Sequence, residues 1–308
     1  MTSPFVTIGM PVYNGGEALR HALDSLLAQT HTNFELIISD NASTDATTQT
    51  LTEEYARRDS RIRLIRQPMT QTATENFQFV LEQARGEYFL WAAHDDQWSS
   101  NYLEVLAAQL ERAPDAILAT PRTRIETTTR TGEKRVDDAV AAPNADRWAT
   151  LDVFVKDNLC VWIYGMFRTV WLKEAAHDLT QYQFHGGDMV WMYDVILRGQ
   201  IVGDGNATFF YNVVHGKKKD RSNRQKIRLL ATEIYHLTRL THLRLPAAQR
   251  LTGMRRVIWF LNRHRFSRRN PIGTSVHLIK LAALGMWFGL ELGIRRIIRP
   301  GAPRAEVA

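Results

Sequence analysis

The chain has 308 residues, 44% of them hydrophobic and 23% charged. That is enough for one large domain or a domain with an appendage, and it excludes fibrous and largely disordered chains. A formal charge of +7 points to an anionic partner, or else to a basic surface that serves only solubility. The single cysteine, Cys160, excludes an intrachain disulfide and a cysteine-based metal cluster. It sits in the apolar run Leu159-Cys160-Val161-Trp162, where a buried, inert thiol is expected. The chain opens without the basic stretch, apolar core or cleavage site of a signal peptide, so the protein is expected in the cytoplasm.

In chain order, the first 120 residues alternate two kinds of segment. Residues 5–12 form a nearly continuous apolar run, the mark of a strand buried on both faces. Ala18, Leu19, Ala22, Leu23, Leu26 and Leu27 follow at helical spacing, and residues 34–39 form a second strand. Ser43 or Thr44 is placed to cap the next helix, with Asp45 in its first turn. Residues 62–65 are a third strand. Phe77, Val80, Leu81 and Ala84 mark a helix ended by Gly86, and residues 88–93 are a fourth strand. Ser99 or Ser100 is placed to cap a helix carrying Leu103, Leu106 and Leu110, and residues 116–120 are a fifth strand.

This alternation predicts an α/β fold with a mostly parallel central sheet flanked by helices on both faces. Ligands of such sheets bind at the carboxyl ends of the strands. The first candidates are therefore the polar groups just after the strands: Tyr13 and Asn14, Asp40 and Asn41, then His94, Asp95 and Asp96. Residues 122–147 are polar and predict a solvent-facing excursion or mobile loop, after which the chain is apolar again to about residue 211. Between Lys217 and Arg269 sixteen Lys and Arg residues face two acids, Asp220 and Glu233. Ile227, Leu230, Ile234 and Leu237, then Leu251, Met254, Val257, Ile258 and Leu261, keep helical spacing there and predict a basic helical appendage.

The carboxylates carry the chemistry. Asp95-Asp96 after an apolar strand offers the hard oxygens that Mg²⁺ or Mn²⁺ prefers, and such a cation also grips substrate phosphates. Taken alone, the pair is as readily a solvated start to the following helix. Asp40 is placed to accept hydrogen bonds from a nucleobase or ribose, and equally suits a turn in Ser39-Asp40-Asn41-Ala42-Ser43. Together the two sites follow different strands of one sheet and share its ligand-binding edge.

These residues, in order and spacing, resemble the family 2 glycosyltransferases, whose fold is called GT-A. The resemblance runs through residues 6–14 (VTIGMPVYN), 25–30 (SLLAQT) and 34–45 (FELIISDNASTD), then Asn76, residues 84–88 (ARGEY) and His94-Asp95-Asp96. It implies that a nucleotide-sugar donor is bound with a divalent metal, Mg²⁺ or Mn²⁺. It implies that Pro11 and Tyr13 flank the base beside Asn14, that Asp40 binds a uracil or related ring, and that Asn76 belongs to the donor site. Asp95 would lie near the ribose or diphosphate, and Asp96 would be the metal ligand. The first position of the family's Asp-any-Asp motif is His94 here, which leaves the division of roles between Asp95 and Asp96 open.

Later resemblance is thinner. Residues 165–168 (GMFR) look like the family's strand before the acceptor region. Gly186-Gly187-Asp188 looks like the segment carrying the catalytic base, with Asp194 a weaker competitor. An inverting transfer needs such a carboxylate to take the acceptor's hydroxyl proton. The other reading is that Asp188 only caps its helix. His215, after Tyr211-Asn212-Val213-Val214, is a second metal-ligand candidate, at even odds with a structural histidine. The implied acceptor is a saccharide or lipid-linked saccharide.

The expected organisation is a catalytic domain over 1–215, with a nucleotide-sugar-binding half at 1–121 and an acceptor half at 148–215, and a basic helical region at 216–308. Residues 276–298 are mostly apolar, but their longest uncharged run, 281–290, is shorter than the roughly 17–25 residues that span a bilayer. This region is expected to lie on an anionic membrane surface at the inner face, or else to pack on the catalytic domain or pair with a second copy as a homodimer. Two rival classes fit less well. A dinucleotide-binding oxidoreductase needs Gly-x-Gly-x-x-Gly after the first strand, where the chain reads Tyr13-Asn14-Gly15-Gly16-Glu17-Ala18. A nucleic-acid binder would use the basic C-terminal helices, but no nucleic-acid motif is present.

Overall fold

The computed structural model describes residues 3–129, 132–144, 146–157, 160–176, 186–214 and 223–264. The sheet is built in the order β3-β2-β1-β4-β8-β6-β9-β5, with β7 paired to β6. Its first half is parallel: β1 (Val6–Val12), β2 (Phe34–Asp40), β3 (Ile62–Arg66) and β4 (Tyr88–Trp91). These strands are joined by α1 (Ala18–Leu27), α2 (Ala46–Arg58) and α3 (Ala73–Glu82). The second half is mixed. β8 (Met166–Arg168) runs antiparallel to both β4 and β6 (Ala116–Thr128). β9 (Gln200–Val214) runs parallel to β6, and the two-residue β5 (Gln97–Trp98) is antiparallel to β9. The GT-A type α/β fold read from the sequence is the fold observed.

Apolar residues on both faces of the strands build two cores. On one face Val6, Ile8, Met10 and Val12 pack with Leu36 and Ile38 under α1, α2 and α4 (Tyr102–Arg112). On the other face Ile37, Phe89 and Trp91 pack with α3, α5 (Arg147–Asp157), α6 (Thr169–Ala175) and α7 (Gly187–Arg198). A β-carbon on Gly9 would lie 2.7 Å from the Phe89 ring, so the central strand must carry a glycine to admit that ring.

Trp91 organises the second core. It meets Phe89 (5.2 Å), Phe167 (5.9 Å) and Trp191 (5.9 Å) edge-on, and its indole N–H donates to the Phe77 carbonyl at 3.0 Å. The Trp91–Trp191 contact ties the strand that leads to Asp95-Asp96 to the helix that starts beside Asp188. Residues Met189 to Leu197 of α7 are all buried, because the helix lies between the sheet and α8 (Asn223–Arg244). Ile234, Leu237, Leu240 and Leu245, with Val257 and Phe260 of α9 (Ala247–His264), belong to the same core as α7. The one acid inside α7's buried stretch, Asp194, is held by Arg198 at 2.7 Å and by Arg244 of α8 at 2.8 Å. The second of these ion pairs anchors α7 to α8. Asp194→Ala would remove the carboxylate that Arg198 and Arg244 share and is expected to cost on the order of 3 kcal/mol in urea unfolding. A loss below about 1 kcal/mol, the usual worth of a surface pair, would show that the pair is effectively solvated.

Three local expectations are corrected. Residues 122–128 and 134–139 are not a loop. They extend β6 and return as β7 (Lys134–Ala139), because alternating, threonine-rich polar segments make good half-exposed strands. The cap of α2 is Asp45, whose carboxylate accepts from Thr48 N at 2.7 Å, since the Ser43 and Thr44 hydroxyls are both taken by Asn14. The residue before α4 is Asn101, without a side-chain cap. The Ser99 hydroxyl instead accepts from Thr208 N and fastens β5 to β9.

Candidate active site

The carboxyl ends of β1, β2 and β3 lie side by side, with Val12 in register with Asp40 and Asp40 with Arg66. Pro11 is buried in β1, and Tyr13 beyond it is 46% exposed. Asn14 adopts φ +50°, a left-handed conformation that asparagine tolerates well. Its Oδ1 accepts from Thr44 N at 2.8 Å and its own N–H donates to Ser43 Oγ at 2.9 Å, so it staples the loop after β1 to the start of α2.

Asp40 is fully buried. Its Oδ1 accepts from Ser43 N at 2.9 Å and its Oδ2 from Arg66 Nε at 3.0 Å. Asn76 is buried behind it, with Oδ1 accepting from the Ser39 hydroxyl at 2.6 Å and Nδ2 donating to the Ser39 carbonyl at 3.1 Å. Both ends of that amide are engaged, so Asn76 shapes the end of β2 from within the fold.

The second cluster follows β4. A β-carbon on Gly15 would come within 2.9 Å of the His94 ring, which brings the loop after β1 against the loop after β4. The Asp95 side chain is exposed, and Asp96 is only 1% exposed. β9 determines this contrast. Asn212 N donates to Asp96 Oδ1 at 2.9 Å, and Asn212 Nδ2 donates to the Asp95 carbonyl at 2.9 Å. Asp96 Oδ2 is buried with no partner among the described residues. Burial, assisted by the neighbouring Asp95 charge and opposed by the Asn212 N–H, pushes the Asp96 carboxyl up to about 8.

Asp188 lies in the first turn of α7 and is exposed. It is not the cap: that position is Gly186, at φ +87° with no side-chain bond. A carboxylate in a first turn is favoured by the helix dipole. The two acidic regions meet around Tyr164 and Tyr211, whose rings are 6.4 Å apart. Burial first, and then Asp96, with smaller effects from Asp95 and Asp188, pushes both phenols above their ordinary value. Asp95, Asp96 and Asp188 thus all lie close enough to one aromatic pair to push its phenols up. His215 lies outside the described residues. Among those residues no three His, Cys, Asp or Glu side chains converge on one point. A cavity of about 520 Å³, lined in part by Asn144, Asp146, Arg147 and Gly199, sits at the opposite end of α7 from Asp188, with Asp146 as the acid in its lining.

Arg66, Asn212, Tyr164 and Tyr211 were not among the candidates from sequence. Arg66 was legible, since it ends the apolar run 62–65 on the same sheet edge. The role of Asn212 was not, because it depends on a contact 116 residues distant.

Comparison with known proteins bears on the family and the fold. A stretch of 102 residues is 36% identical to an uncharacterized glycosyltransferase of Rickettsia typhi, covering 33% of this chain and 30% of that protein. A stretch of 101 residues is 33% identical to the putative teichuronic acid biosynthesis glycosyltransferase TuaG of Bacillus subtilis, covering 33% of this chain and 40% of that protein. The matches thus span well under half of these relatives' length. The fold superposes on the crystal structure of S. aureus TarS residues 1–349 with a TM-score of 0.65 at 19% identity, covering 96% of this chain and 81% of that one. Glycosyl transferase family 2, as a family profile, matches residues 7–168, from β1 through β8 and across the Asp40 and Asp95-Asp96 edge. That is more than half of the chain, and the chain belongs to glycosyl transferase family 2.

Proposed function

We propose that the chain is an inverting glycosyltransferase. It moves a sugar from a nucleotide-diphosphate sugar, UDP- or dTDP-linked, to a hydroxyl of a saccharide or lipid-linked saccharide in surface polysaccharide or glycolipid synthesis. The observation that carries this reading is the buried Asp96 Oδ2, without a partner among the described residues, on the sheet edge that also holds Asp40, with Asp188 close enough to Tyr164 and Tyr211 to push their phenols up. TarS has been solved with UDP-GlcNAc, and TuaG is named for teichuronic acid synthesis, which supports a nucleotide-sugar donor and a polysaccharide acceptor.

Pro11, Tyr13 and Asn14 form the base end of the donor site with Asp40, and Asp95 faces the ribose or diphosphate. The donor set at Asp96 fits Mg²⁺ or Mn²⁺, which is commonly held by one or two carboxylates plus substrate phosphates. His215 is the further candidate ligand. The ion supplies positive charge against the charge that develops on the leaving nucleoside diphosphate. Asp188 accepts the proton of the acceptor hydroxyl as its oxygen attacks the anomeric carbon.

A thermal-shift screen of UDP-, dTDP- and GDP-sugars with and without Mn²⁺ tests the donor. A ligand at 100 times its dissociation constant is expected to add about 2.7 kcal/mol of stability. No shift with any nucleotide-sugar, with or without metal, would remove the reading.

A lipid-linked acceptor also implies an anionic membrane surface. No described helix is long and apolar enough to cross a membrane. On α9, Leu251, Arg255 and Trp259 are exposed at four-residue spacing, as surface docking requires. The full chain is expected to co-sediment with anionic liposomes at low salt and to be released at high salt. A chain that stays in the supernatant at low salt takes the membrane out of the proposal.

A further inference from the structure

The residue that a donor base would meet first on this edge is not Asp40. Asp40 is wholly buried, and both its oxygens already accept hydrogen bonds, from Ser43 N and from Arg66 Nε. Arg66 lies across it, with a side chain 42% exposed. Its second tether is loose: Nη2 stands 3.4 Å from Glu53 Oε1, and Glu53 is itself 47% exposed. Arg66 ends β3, the outermost strand of the parallel half, in direct register with Asp40, and Asp40 is in register with Val12, the neighbour of exposed Tyr13. The edge therefore presents an aromatic ring at the end of β1 and a clamped guanidinium at the end of β3, with the carboxylate underneath.

We propose that Arg66 reads the base of the donor nucleotide, and that it selects bases with a keto oxygen at C4 of a pyrimidine or C6 of a purine, uracil, thymine or guanine, over cytosine and adenine, which carry an amino group at that position. This rests on the nucleotide-sugar reading above and assigns the specificity of that same site. The chemistry follows from the donor inventory. A guanidinium carries five N–H donors in a planar fork and no acceptor. With Nε fixed on Asp40, the outward N–H groups match the O4 of uracil or thymine, or the O6 and N7 of guanine. At that same position, C4 of cytosine or C6 of adenine, the groups meet an exocyclic amino donor in place of the oxygen. Asp40 acts through Arg66: it orients the fork and balances its charge. A lysine in place of Arg66 would keep the charge on Asp40 but lose the planar fork.

The test is titration calorimetry of the full chain with UDP, dTDP, GDP, CDP and ADP in Mn²⁺, for wild type, Arg66→Ala and Arg66→Lys, with circular dichroism to check folding. Wild type is expected to prefer one or more of the keto-base nucleotides by about 10- to 100-fold, the range of a well-placed bidentate contact. Arg66→Ala should weaken that nucleotide by the same factor and leave CDP unchanged, so that selectivity collapses. Arg66→Lys, which keeps a cation beside buried Asp40 if the alanine variant does not fold, should lose most of the selectivity and less of the affinity. Retained keto selectivity in both variants, or tighter UDP binding once Asp40 is uncovered, would overturn the assignment and return base reading to Asp40. A wild type that binds no nucleotide at all would instead overturn the nucleotide-sugar reading, and this inference with it.

Discussion

Asp96→Asn is expected to abolish sugar transfer and, in EDTA, to make the folded chain more stable at pH 8 than wild type. The two effects have one cause. Asp96 is held almost out of solvent, with one oxygen on Asn212 N and the other without a partner among the described residues, and its carboxyl is pushed up to about 8. In the unfolded chain the same group ionises near its ordinary value of 3.8. Because the folded value is the higher one, the folded state carries no penalty below about pH 4, where both states are protonated. Between about pH 4 and 8 the unfolded chain ionises and the folded chain does not, so stability falls by up to about 1.4 kcal/mol per pH unit. Above about pH 8 the loss is complete. An asparagine never ionises and so escapes this loss. Its amide still buries an unpaired donor, at a cost of roughly 1–3 kcal/mol, as the protonated carboxyl does at low pH. That cost is common to both and cancels, so the net gain for the variant is on the order of 5 kcal/mol at pH 8, about four pH units of this slope, shrinking toward zero near pH 4. Urea unfolding at three pH values measures it. A difference that does not change with pH, or a variant less stable at pH 8, would show that Asp96 is not desolvated. Added Mn²⁺ and nucleotide-sugar should stabilise wild type and not the variant, since the ligand oxygen is gone.

Asp188→Asn is expected to behave in the opposite way. The side chain is exposed, makes no cap and lies in the first turn of a helix whose buried face is otherwise intact. Stability should fall by no more than about 0.3–1 kcal/mol, the usual worth of a first-turn charge. Turnover should fall by roughly 10²–10⁴-fold, the contribution of a positioned acid or base. Donor affinity should hardly change, because Asp188 acts on the acceptor hydroxyl. Steady-state kinetics beside calorimetry for the donor separates the cases. A collapse of donor binding would place Asp188 in the nucleotide or metal site and remove it as the base. A loss of turnover below tenfold would leave it with a structural role alone.

The sequence by itself determined the parallel half of the fold and the edge on which the chemistry sits. Strands buried on both faces must be apolar throughout, so the cores of β1, β2, β3 and β4 and the start of β6 are legible as short apolar runs, and Asp40 and Asp95-Asp96 as polar residues just beyond them. The same logic failed where burial is partial. β5 is two residues long, and β7 and the outer part of β6 are polar and half-exposed, so no apolar run marks them. Tertiary structure alone decided what each carboxylate does. Asp95 and Asp96 are neighbours of one type, and only Asn212 on β9 turns one outward and buries the other. Asp40 is covered because Arg66 ends the adjacent strand, and Asn76 is closed on Ser39. Asp194 is an anchor because Arg244, fifty residues later, returns to it. Apolar burial is encoded locally, by the period of a strand or helix. The partner of a polar group is encoded by the distant segment that folds against it, and that choice sets its exposure, its proton affinity and its availability for catalysis.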